Sequence, residues 1–190
     1  YIRAIAMNGD LTNSEPGPYA TFPTGNLYLT LNLSTQNINL IGINTHSTTL
    51  SNYVDVDIET NNQYGYNLYV QSQGDNTNAG LYSSSKTFLI PSNYSGNLNS
   101  VIGTNRYGIG AAKISGPGTV ANTYDETLTG RNSTYVGQLS TAPTLFSSYN
   151  DPHSSGNPDV IRTRAKSNVA GDTPSSNDYN DILTFTAQAI

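Results

Sequence analysis

Val54-Asp55-Val56-Asp57-Ile58-Glu59-Thr60 and Tyr66-Asn67-Leu68-Tyr69-Val70-Gln71, joined by Asn61-Asn62-Gln63-Tyr64-Gly65, decide the fold class of this chain. In the first run Val54, Val56 and Ile58 alternate with three acids; in the second Tyr66, Leu68 and Val70 alternate with Asn67, Tyr69 and Gln71. Alternation of period two sends apolar side chains to one face of a sheet and polar ones to the other. Asn and Gly between the runs supply the positive φ angles of a tight reversal. The stretch predicts a β-hairpin with one dry and one wet face, which belongs to an antiparallel sandwich or barrel rather than a parallel α/β sheet.

Outward from that stretch the same grammar repeats. Only three Glu occur in 190 residues, and no segment sets apolar residues at helical spacing. Short strand patterns recur instead, separated by turn residues. They cover 1–7, 26–34 (with Leu27, Leu29, Leu31 and Leu33 alternating), 38–43, 48–60, 65–73, 87–90, 106–113, 135–139, 144–148, 160–166 and 181–189. This pattern predicts an all-β protein with a single antiparallel β-sandwich, Greek-key or jelly-roll-like, and an N-terminal extension strand. Residues 1–25 form the extension strand and its Pro/Gly-rich linker; residues 26–190 form the sandwich.

Composition narrows the function classes. Charged residues are 11%, net charge is −5, and the aromatics are 14 Tyr against 4 Phe and no Trp. Tyr with β-branched residues at low charge favours an ordered, turn-rich β protein over disorder. No basic stripe offers itself to phosphates, so a nucleic-acid partner is not expected. Arg162, Arg164 and Lys166 share one face of a strand and are expected to be solvated opposite acids. No run of 18 apolar residues predicts a membrane span. The lack of Cys and a start at Tyr1 fit a mature exported protein, and an extracellular, cell-surface location is expected.

Three segments carry a resemblance: 57–68 (Asp-Ile-Glu-Thr-Asn-Asn-Gln-Tyr-Gly-Tyr-Asn-Leu), 105–109 (Asn-Arg-Tyr-Gly-Ile) and 178–187 (Asp-Tyr-Asn-Asp-Ile-Leu-Thr-Phe-Thr-Ala). In this order they resemble secreted β-sandwich domains of surface proteins from Gram-positive and candidate-phylum bacteria. Ile109 departs from the second aromatic of that pattern, and Asn177 and Asp178 stand where a Gly turn is usual. The resemblance implies a surface location without catalysis, and by itself raises Lys–Asn cross-links at Lys86, Lys113 or Lys166.

Candidate chemistry is sparse. Asp55, Asp57 and Glu59 fall on one strand face about 7 Å apart and need a cationic neighbour, solvent or Ca²⁺ to offset their repulsion. Asp172, Asp178 and Asp181 form a second oxygen-rich group, but without metal-loop spacing. His46 and His153 show no ligand spacing. No catalytic motif stands out, so no enzyme, metal or cofactor is expected. Asn32, Asn93 and Asn132 head glycosylation sequons.

The N-terminal strand is the sharpest functional signal. Ile2, Ala4 and Ala6 alternate with Tyr1, Ile5 and Met7, so the strand is apolar on both faces and must enter a sheet. If that sheet belongs to a neighbouring copy, identical subunits polymerise by strand addition. The expected function is therefore a structural subunit of an extracellular filament or pilus. The alternative is an adhesin or carbohydrate-binding module whose Tyr64, Tyr66 and Tyr69 contact glycans.

Overall fold

The computed structural model describes residues 2–7, 27–41, 43, 45–151 and 156–190. Within them the chain forms β1 (Ile2–Met7), β2 (Leu29–Leu33), β3 (Thr49–Leu50), β4 (Val54–Thr60), β5 (Tyr66–Ser72), β6 (Gly80–Ser83) and β7 (Phe88–Pro91). It continues as β8 (Gly96–Asn97), β9 (Arg106–Ser115), β10 (Thr119–Val120), β11 (Tyr135–Val136), β12 (Thr144–Tyr149), β13 (Asp159–Asn168) and β14 (Leu183–Ala189). A single 3-10 turn at Leu98–Val101 is the only helical element among the described residues. Strand order in the first sheet is β1-β14-β5-β12-β10. In the second sheet β2, β4 and β13 lie in order, β9 lies on the far side of β13, and β3 pairs with β13 beyond the end of β4. Two small ribbons, β6-β7 and β8-β11, flank them. All strand pairings are antiparallel except β1 with β14.

The expected hairpin is corrected by this topology. β4 pairs with β2 and β13, whereas β5 pairs with β12 and β14, so the two runs lie in different sheets. Alternation specifies which face of each strand is dry but not which strand lies beside it. Here both dry faces meet in one core: Val54, Val56 and Ile58 from β4 join Tyr66, Leu68 and Val70 from β5, all with no exposed surface. Residues 61–65 therefore form an arch that carries the chain from one sheet to the other. Phe146 and Phe185 meet edge to face in the same cluster at 5.2 Å, and Tyr124 adds a tilted ring 5.4 Å from Phe146.

Asn62 holds the arch. Its amide nitrogen donates to the carbonyls of Gly65 (3.0 Å) and Ile190 (2.6 Å), tying the turn to the end of β14. Gly65 adopts φ +79°, and a Cβ there would lie 1.8 Å from the Tyr149 carbonyl oxygen, so glycine is required on both counts.

Other expectations fare unevenly. Leu29, Leu31 and Leu33 lean on the core as half-buried side chains. Residues 38–41 form no strand despite Ile38, Leu40 and Ile41, and Ile41 is 82% exposed. The linker 8–26 lies outside the described residues. Asn62→Ala removes both side-chain bonds that tie the arch to the end of β14, and should lower unfolding free energy by about 1–3 kcal/mol in urea titration.

Candidate functional site

The edge of β14 is the place where the sequence and the fold converge. Strand β14 exposes one row of backbone groups to β5 and the other to β1, in register from Ile2 opposite Leu183 to Met7 opposite Gln188. Its inward residues Leu183, Phe185 and Ala187 are buried in the core. Strand β2 edges the facing sheet and lies close to both β1 and β14. Without β1, β14 would present a bare hydrogen-bonding row beside apolar side chains, the arrangement that invites strand addition. At its leading end, beside Leu183, the seat opens into a cavity of about 890 Å³ partly walled by Ile38, Leu40, Leu81, Tyr107 and Ile182. The expected interface strand, Ile2, Ala4, Ile5, Ala6 and Met7, thus occupies the seat on its own chain; Tyr1 lies outside the described residues.

The three tyrosines proposed for glycans do not act together. Tyr66 has no exposed surface, and its hydroxyl donates to Asp159 Oδ2 at 2.7 Å. Burial pushes this phenol far above its usual range, and the Asp159 charge adds to that despite an opposing bond from Ser147. Tyr66 is therefore a core residue rather than a sugar platform. Tyr64 is 54% exposed on the arch, and Tyr69 sits half-buried on the outer face of the first sheet.

Buried carboxylates recur where sequence reading did not place them. Asp159, at the start of β13, has no exposed surface and accepts the Gly118 amide at 2.6 Å. Gly116-Pro117-Gly118 reads as a plain turn, yet a Cβ at Gly116 or Gly118 would collide with the Asp159 carboxylate. Asp181 is held by Ser72 Oγ (2.7 Å), the Gly74 amide (2.9 Å) and the Tyr107 hydroxyl. Burial raises its pKa against those bonds. Asp178 instead lies at the surface among Ser83, Ser85 and Ser176, whose donors hold its pKa far below the usual carboxylate value. Asp178 and Asp181 thus serve separate sets of protein donors, and among the described residues no three acidic or imidazole side chains converge on a metal position. His46 Nδ1 lies 2.9 Å from Thr45 Oγ1, and His153 is outside the described residues.

The acidic row on β4 finds the cation it needs. Arg162 forms a two-pronged pair with Asp55, Nε to Oδ1 at 2.8 Å and Nη2 to Oδ2 at 2.9 Å, which lowers the Asp55 pKa. Glu59 accepts from Tyr28 and from the Gly156 amide. Asp57 stays half-buried with one unpartnered oxygen, and burial followed by the Asp55 charge raises its pKa.

The expectation that Arg164 and Lys166 are solvated is overturned. Arg164 is 8% exposed and Lys166 is fully buried. The segment carrying Glu126 and Tyr135 lies over β9, and Lys166 Nζ reaches Glu126 and the Tyr135 carbonyl. Gly110 leaves the space, because a Cβ there would lie 2.2 Å from the Lys166 ammonium. The small-residue run 108–112 is what admits this cover. Lys86 and Lys113 are exposed. Asn32, Asn93 and Asn132 are all exposed as well, and Asn132 Oδ1 accepts from the Thr134 amide at 2.8 Å.

No protein-family model, curated protein or solved structure matches this chain. Among the described residues no helix is long and apolar enough to cross a membrane.

Two outcomes follow from these groups. Lys166→Met leaves Glu126 without its cation, and should cost about 3–5 kcal/mol of stability in denaturant titration. Asp178 has a folded pKa below its unfolded value. Its contribution to stability is therefore complete above the unfolded value of about 4 and drains away as pH falls toward the folded one. Asp178→Asn should melt lower than wild type at pH 6, with the gap closing near pH 2 in thermal scans.

Proposed function

We propose that this protein is a structural subunit of an extracellular filament, built as a β-sandwich whose β1 seat is filled by the β1 strand of an identical neighbour. The observation that carries this reading is a mismatch between chain length and distance. β1 ends opposite Gln188, and β2 begins opposite Thr60. Thr60 adjoins the arch that Asn62 ties to Ile190, so both ends lie at the same end of the molecule. A direct connection of that kind takes about 2–6 residues, yet residues 8–28 supply 21.

Fully extended, a segment of that length reaches about 70 Å, beyond the roughly 40 Å diameter expected of a domain this size. The surplus permits β1 to leave its own seat and enter the next without strain in the body of the fold. An open head-to-tail exchange of this type propagates as a filament. Each junction would inherit a complete backbone ladder and the burial beside Leu183, Phe185 and Ala187. A surface low in charge and rich in Tyr, Asn and Thr fits an extracellular setting. Tyr64 and Tyr69 remain open to glycans, but nothing gathers them into one site.

The absence of Cys from the chain makes the test direct. Ala6 and Ala187 are register partners, so A6C/A187C should form a disulfide across the seat. Under this reading, oxidised material runs as a ladder of covalent multimers on non-reducing gels, and deletion of residues 1–10 leaves monomers. A disulfide found only within single chains overturns it.

A further inference from the structure

Charge is divided unequally between the two sheets. Strands β5, β10, β12 and β14 contain no Asp, Glu, Lys or Arg, and Arg3 is the one charged residue of β1. In the second sheet, β4, β9 and β13 together carry nine. Over β14, β5 and β12 the outer face of the first sheet is largely neutral amides and hydroxyls, and Arg3 stands at its β1 margin in register with Thr184. Thr184, Thr186 and Gln188 on β14 stand beside Gln71, Tyr69 and Asn67 on β5 in cross-strand register. Thr186, Tyr69 and Leu145 form a central row, with Leu145 42% exposed.

We infer that this face is a lateral contact between copies of this chain, one sheet lying on the same sheet of a second molecule. The charge pattern selects that occupant. Each chain carries a net charge of −5, so two copies repel in general, and the penalty is least over β14, β5 and β12, which carry no charge. A polysaccharide fits less well, because stacking along a sugar chain calls for several aromatic rings and this row has one.

Size then sets the strength. Strands β14, β5 and β12, about 4.8 Å apart and six or seven residues long, give a face of roughly 300 Å², under half of what a stable interface buries per partner. One such contact does not hold two free molecules together. Repeated along a filament it adds up, binding neighbouring filaments into bundles. The inference therefore rests on the filament reading.

The test uses filaments of the full chain, with bundles scored by low-speed pelleting and electron microscopy. Thr186→Lys, Thr186→Glu and Tyr69→Lys each place a charge on the face. Each should disperse bundles into single filaments, cutting the pelleted fraction roughly tenfold, while the A6C/A187C ladder persists in the same background. Asn32→Lys, on the outer face of the other sheet, should leave bundles intact. Raising NaCl from about 20 to about 500 mM should preserve or increase bundling, since it screens the overall repulsion. Bundles that survive all three face variants, or that dissolve equally with Asn32→Lys, overturn the inference. So does wild-type binding to insoluble cellulose or chitin that Tyr69→Lys abolishes while bundling is unchanged. A missing ladder in the parent protein defeats the filament reading instead.

Discussion

A long edge strand with a buried inner face is a liability in water, and β14 without β1 would be such a strand. Leu183, Phe185 and Ala187 commit one face to the core, and β5 satisfies only one of its two backbone rows. Something must pair with the other row. In this chain β1 does so, and among the described residues it is the only parallel strand partner in either large sheet. The arch at 61–65 depends on the same strand, because Asn62 anchors it to Ile190 just past the end of β14. Core, arch and N-terminal strand are therefore one mechanical unit centred on β14.

Polar burial supplies the second level of order. Tyr66 with Asp159, Tyr107 with Asp181, and Lys166 with Glu126 each place a hydrogen-bonded or charged group where solvent is excluded. Such groups add little net stability over an apolar filling, but removal of one partner is costly. They tie particular loops to particular strands: 116–118 to β13, residue 74 to residue 181, and the 126–135 cover to β13. A core built largely from interchangeable Val, Ile and Leu gains its register from these contacts.

Much of this architecture was legible in the sequence, for a reason that also marks where legibility ends. Alternation in β2, β4 and β5 identifies inward residues correctly, because side-chain direction is a local property of a strand. Pairing is not local. The runs at 54–60 and 66–72 look like a hairpin, and only their shared core shows that they face each other across it. Residues 38–41 carry a strand-like pattern that turns Ile38 and Leu40 toward the core and Asn39 and Ile41 outward, but the segment pairs with no strand. The buried partners Asp159 and Glu126 gave no sign at all, and Asp181 stood out only in an acidic group that the fold divides, since a lone acid beside a turn looks solvated until its distant neighbour is known. The two-sided apolar character of 2–7 signalled a strand in need of a sheet but did not say that β14 would receive it.

The two margins of the first sheet differ in length, six paired residues at β1 against two at β10. A two-residue margin offers an incoming ribbon almost no ladder to extend. Within that sheet, growth has a single address. Any chain that joined by backbone pairing at this sheet would have one locus per molecule, the condition for an unbranched, polar array.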